Sequence, residues 1–208
     1  ATIAVDQANE APSSGRPHRT PLDNPILRVI RERRSVHTFG PQPITDEELE
    51  AILEAGRWAP SAHNSQPWDF VAVTDPTTRY EITTLLRLQA LVWVGFANAP
   101  AMIVVSVDPS RDSTHFVEDG AIAAQNLCLA AQSLGLASSW AGVYPGPAGR
   151  SKVEHGLKKL LGLPRAHRVI AVVPVGRAIQ VRRGSRRPLS EMVHRNHFHT
   201  QPKSRREP

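Results

Sequence analysis

The chain of 208 residues contains one cysteine, Cys128. A single thiol cannot close a disulfide within the chain or supply a multi-cysteine zinc site. Aromatic residues are scarce, at 5%. That is too few for a stacking platform for single-stranded nucleic acid. Long apolar runs are also missing. The nearest candidate, residues 90–107, has 18 residues without a charge, the lower limit for a membrane-spanning helix. Gly95, Asn98 and Pro100 interrupt it, and a proline there would break a helical hydrogen bond. A helix end, a turn and a buried β-branched strand explain the run better, so no membrane partner is expected. The N-terminus shows no apolar segment behind basic residues, so no secretory signal is recognisable. With the lone cysteine, this makes the cytoplasm the expected location.

What is present describes an ordinary domain. Apolar residues make up 40% and charged residues 21%, with a net charge of +6. The charge is unevenly placed. Nine basic residues from Arg177 onward face only Glu191 and Glu207, and the rest of the chain is nearly neutral. A basic stretch suits an anionic surface or a phosphorylated cofactor. No nucleic-acid-binding motif accompanies it, so no nucleic acid is expected as partner. Residues 1–23, with Pro12, Pro17 and Pro21, read as a flexible arm; residues 24–193 form the folded domain, and residues 194–208 a basic, solvated tail. His194, His197 and His199 lie in or beside that tail without a carboxylate partner, and no metal is expected there.

Periodicity and capping signals give the element order. Asn24 and Pro25 start a helix that runs to Arg34, with Ile26, Leu27 and Ile30 on one face. Thr45 and Glu48 form a capping box for a second helix ending near Gly56. Residues 60–67 are a loop, and Trp68 to Val73 a strand. A helix is expected from Arg79 to about Val94, and a strand from Ala101 to Val107. The clearest helix runs from about Glu118 to Leu134 and stops at Gly135, with Ile122, Leu127, Ala131 and Leu134 as its apolar face. Leu136 to Trp140 reads as one strand, Val153 to Leu161 as a helix capped near Ser151, and Arg168 to Val175 as a buried strand with a bulge or an end at Pro174. The order implies a layered α+β or α/β domain around a central sheet.

Four segments carry chemistry. Arg33, Arg34 and Ser35, followed by His37 and Phe39, place two guanidiniums and a hydroxyl within three residues. That set suits a phosphate or a polar chain, although arginines at a helix C-terminus also complement its dipole. The loop from Ala59 to Trp68 is stiffened by Pro60 and Pro67 and carries Ser61, Asn64, Ser65 and Gln66 as ligand or turn groups. Gly135 to Gly142 is rich in small residues, which lets backbone N–H groups approach a flat ligand. Gly176 and Arg177, then Ser185, Arg186 and Arg187, form a late basic cluster that could close on the same phosphate.

As a set, the RRSxxxF segment, the PSxxNxQPW loop and the GLxSxWxG segment resemble the nitroreductase family of FMN enzymes. The likeness runs from about Asn24 to Val193, and Leu161 to Pro164 (LGLP) supports it. It implies a three-layer α+β fold with a central, mostly antiparallel sheet flanked by helices. It also implies an intertwined homodimer with FMN shared at the subunit interface. Carried over, Arg33 and Ser35, with Arg34 beside them, contact the FMN phosphate, ribityl chain or pyrimidine edge. His37 stands where the family usually has Arg or Lys beside the flavin, so a fixed positive charge is replaced by one present only on protonation. Pro60, Ser61, Ala62 and Asn64 come from the partner subunit. The N–H groups of Ala141 and Gly142 face the ring edge, and Arg186, with Arg187 beside it, binds phosphate. Trp93 and Phe96 are candidates for the substrate pocket, with core packing the alternative.

The implied activity is ping-pong transfer of hydride from NADH or NADPH through FMN to nitroaromatic, quinone or flavin acceptors, with no obligatory catalytic side chain. No GxGxxG fingerprint is present to decide between the two nicotinamides. A second reading keeps FMN but reverses the direction, as in the family's cyclodipeptide oxidases. A third is a flavin-binding protein without turnover.

Overall fold

The computed structural model describes residues 24–88, 94–146, 151–182 and 184–198. The N-terminal arm, Trp93 and the end of the basic tail lie outside them. Five helices and five strands follow one another: α1 (Pro25–Glu32), α2 (Asp46–Arg57), β1 (Trp68–Val73), α3 (Pro76–Arg87), β2 (Ala101–Val107), α4 (Phe116–Ser133), β3 (Ala137–Ser138), β4 (Ala141–Gly142), α5 (Lys152–Leu161) and β5 (Arg168–Gly176). Every strand pairing is antiparallel, in the order β1-β2-β5-β3, and β4 also pairs with β5. Among the described residues no helix is long and apolar enough to cross a membrane.

The sheet is the middle of three layers. Met102 and Val104 of β2 point to α3 and α5, where they meet Ile82, Leu86, Val153 and Leu157. Ile103, Val105 and Val107 point the other way, to Ile52 of α2 and to Ala124 and Leu127 of α4. All seven residues of β2 are buried. Each buried Val or Ile contributes about 1.5–3 kcal/mol, so this strand anchors the fold. In β5 the register against β2 shifts at Val105/Ser106. The extra residue places both Ile170 and Ala171 on the α2/α4 side.

The capping signals are realised. The Asn24 side chain accepts from the Ile26 N–H at 2.8 Å. Thr45 and Glu48 bond reciprocally at 2.9 and 3.1 Å. Ser151 accepts from the Glu154 N–H at 3.1 Å. Gly135, at φ 72, closes α4 with bonds from its own N–H to Gln132 and from Leu136 to Ala131.

Other expectations are corrected. α3 starts at Pro76, because the Asp75 side chain caps it by accepting from the Thr78 N–H at 2.7 Å. It ends at Arg87, and residues 94–98 form a separate 3₁₀ turn. The strand expected at Leu136 to Trp140 shrinks to β3 (Ala137–Ser138), and a second short strand, β4, follows beyond it at Ala141–Gly142. Pro174 neither ends β5 nor carries its bulge. Its missing N–H faces the gap between β3 and β4, where Ser139 donates to its carbonyl at 3.3 Å. The buried face of α4 is Gly120, Ala123, Ala124, Leu127, Cys128 and Ala131, whereas Ile122 and Leu134 are exposed. α1 buries no residue at all, and Ile26 is 69% exposed.

Candidate functional site

α1 ends at Glu32, two residues short of the expected Arg34, and the capping residue Arg33 turns to φ −53, ψ 131 while its N–H still reaches the Val29 carbonyl. The chain then lies along β3. Ser35 bridges Ser138 in parallel, and the Val36 N–H donates to the Ser138 carbonyl at 2.9 Å. Val36 and Phe39 turn into the core. Beside them Ser35 is exposed, and Arg33, Arg34 and His37 are half-buried.

The late basic cluster returns to this strip at Gly184. A side chain there would come within 3.2 Å of the Arg34 Nε and 3.5 Å of the Arg186 Nη1. Arg34 donates to the Arg31 and Arg33 carbonyls at 2.6 and 2.8 Å, and Arg186 to the Ser185 carbonyl at 2.8 Å. Arg33, Arg34 and Arg186 form no ion pair among the described residues. Arg187 is exposed beside Arg186.

His37 lies parallel to Phe96, with ring centroids 5.8 Å apart and planes 13° apart. Its Nδ1 is 3.5 Å from the Ser139 Oγ. Burial, followed by the charge of Arg182, holds its pKa below the ordinary histidine value. Phe96 is only 1% exposed and packs edge-on against Phe39. Within one chain it thus sits in the core beneath His37, the placement of the core-packing alternative.

The β3–β4 edge follows the antiparallel alternation. Ser139 and Val143 donate to the Pro174 and Ile170 carbonyls of β5. In this register the Ala141 N–H also points at β5, and the N–H of Gly142 points away from it. Gly142 is exposed, and a Cβ on it would meet only the Trp140 indole, at 3.5 Å or more.

The loop of residues 60–66 sits elsewhere. The Ala62 N–H donates to Asp119 Oδ1 at 3.1 Å, and the Ser65 hydroxyl to Oδ2 at 3.3 Å. The Ser61 hydroxyl is taken by the Gln66 N–H at 3.0 Å. Pro60 and Asn64 are exposed. The loop is thus fixed to the first turn of α4. Arg33 instead places its charge near Cys128, nine residues further along the same helix. At 1.5 Å per residue that is about 14 Å. Within one chain the loop and the arginine strip are separate.

A sequence model of the Nitroreductase family matches residues 30–92 and 87–177. The chain belongs to the nitroreductase family. A relative from Archaeoglobus fulgidus, provisionally named a NADH dehydrogenase/NAD(P)H nitroreductase, is 37% identical over 153 residues, 72% of this chain and 83% of its own. The NADPH:FMN oxidoreductase from Vibrio harveyi, solved in complex with NAD+, superposes with a TM-score of 0.71 at 28% identity, covering 86% of this chain and 80% of that one. A nitroreductase with bound FMN from Desulfitobacterium hafniense superposes with a TM-score of 0.67 at 27% identity, covering 82% and 98%.

In this chain the structure brings Arg33, Arg34, Ser35, His37 and Arg186 to one strip, with Gly142 on the adjoining edge. It sets Pro60, Ser61, Ala62 and Asn64 apart. Sequence reasoning missed Asp119, Ser139 and Arg182. Asp119 reads as an ordinary acid at a helix start, and Arg182 as one arginine in a basic run. Only the fold shows what each one meets.

Proposed function

We propose that the chain is an FMN-dependent oxidoreductase that moves hydride from NADH or NADPH to nitroaromatic, quinone or flavin acceptors in a ping-pong cycle. The observation that carries this reading is the meeting of Arg34 and Arg186 at Gly184, beside Arg33 and the exposed Ser35. Guanidiniums gathered without a carboxylate suit a phosphate monoester. The rest of the strip fits the remainder of FMN: a hydroxyl for the ribityl chain, and at Gly142 an N–H directed away from β5 for a ring edge. When bound, FMN supplies the two-electron chemistry. The protein binds, orients and tunes. Its lowered pKa favours the neutral form of His37, and the charge acting on it comes from Arg182.

The separated loop supports a homodimer in which residues 60–64 of one copy complete the site of the other. The exposed Ile26, Leu27 and Ile30 of α1 offer the apolar surface for that contact.

The test is the absorbance spectrum of the purified protein, followed by anaerobic addition of NADPH. Flavin bands that bleach are the expected result. Bands that persist would favour the oxidase direction, and a protein that takes up no FMN would overturn the reading.

A further inference from the structure

Asp119 is 3% exposed, an unusual place for a carboxylate. Its two oxygens are directed at one loop: Oδ1 accepts from the Ala62 N–H, and Oδ2 from the Ser65 hydroxyl. Between and beside these anchors the backbone is strained. His63, Asn64 and Gln66 have φ of 52, 55 and 45°. Each costs a side-chain-bearing residue about 1–2 kcal/mol relative to right-handed backbone. No glycine in the loop relieves this, so the conformation persists only where outside contacts impose it. The Asn64 side chain is exposed at the strained turn and makes no hydrogen bond among the described residues. The loop is therefore held rigidly to present a carboxamide that its own chain does not use.

We infer that Asp119 is a positioning residue: by clamping Ala62 and Ser65 it fixes residues 62–66 so that Asn64 is delivered to the FMN site of a second copy. The inference rests on the proposed FMN reading. Through the clamp, the start of one subunit's long central helix is coupled to the cofactor bound against the other. A bare role in α4, as an acid favouring the helix N-terminus, does not require the carboxylate to face away into this loop.

The experiment compares Asp119→Ala, Asp119→Asn and Asn64→Ala with the unaltered protein. Hydrogen exchange of the loop amides is measured after flavin is stripped by dialysis, and FMN dissociation constants by fluorescence quenching. In Asp119→Ala the Ala62 amide should exchange at least about tenfold faster, while amides in the middle of α4 remain protected. FMN affinity should fall about tenfold, the scale of losing hydrogen bonds to a charged group. Asp119→Asn keeps an acceptor for Ala62 and can reverse the Ser65 bond, so it should recover most of both losses. The decisive readout is the double variant. If Asp119 acts through Asn64, adding Asp119→Ala to Asn64→Ala should cost no further FMN affinity.

Full additivity of the two substitutions would overturn the inference, as would unchanged loop exchange in Asp119→Ala. So would exchange that rises equally throughout α4, which marks a loss of general stability. Failure of the FMN reading looks different: the unaltered protein itself then takes up no FMN, whatever Asp119 does to the loop.

Discussion

His37 shows how one residue's chemistry depends on its neighbours. Burial against Phe96 and the Arg182 charge disfavour its protonated form in the folded protein. The unfolded chain takes up that proton near the ordinary value of about 6.5. Between that value and the lower folded one, the unfolded state holds more protons, so stability rises with pH. This contribution is intact above about pH 7 and declines as pH falls through the folded pKa. The melting temperature should therefore drop from pH 7 to pH 5, and more steeply than in a His37→Asn variant. An NMR titration of the ring should place its pKa below 6.5. The arginines proposed to bind the FMN phosphate make a second residue-scale case. Arg33→Ala and Arg186→Ala should each weaken FMN binding about tenfold or more, as expected for lost charge-assisted bonds. If both variants keep full flavin after dialysis, the phosphate is bound elsewhere.

At the scale of elements, the 3₁₀ turn of residues 94–98 holds the strip in place. A Cβ on Gly95 would run into the His37 carbonyl oxygen and lie 2.9 Å from the Thr38 Cα. Both are backbone atoms, so neither can rotate away. Gly95→Ala should push the turn off the strip at a cost of about 1–3 kcal/mol. The expected signature is a melting temperature lower by several degrees, with the His37 pKa moving back toward its ordinary value as Phe96 withdraws. Unchanged values for both would mean that the turn does not position His37. The same scale explains why some boundaries were legible in the sequence. Caps are local: Asn24, Thr45 with Glu48, and Ser151 bond to amides two or three residues away. The split of β3 from β4 is not local. It depends on β5 presenting Pro174 opposite the break.

For the whole molecule, the unburied helix is the informative feature. α1 is amphipathic in sequence yet buries nothing within its own chain, and Leu189, Met192 and Val193 near the C-terminus are also exposed. A solitary domain rarely leaves such faces to water. Light scattering should give a dimer. A double substitution, Ile26→Glu with Ile30→Glu, should shift it to monomer and lower FMN retention, because each site would lose the other copy's loop. A monomer that still binds FMN tightly would refute the shared site.

The sequence by itself determined the local order: the caps, the Gly135 stop, the apolar strands β2 and β5, and the motif set that marks the family. Each of these depends on residues a few positions apart, or on patterns that any partner surface would satisfy. Tertiary structure alone decided which residues meet. It set the bulge that turns Ile170 and Ala171 to one side, the return of Arg186 to Arg34, and the lowered pKa of His37. It also gave Asp119 a loop 54 to 57 residues away to hold. These contacts join segments far apart in the chain, and a residue's charge or hydrogen-bonding capacity does not specify a distant partner until the layers are packed.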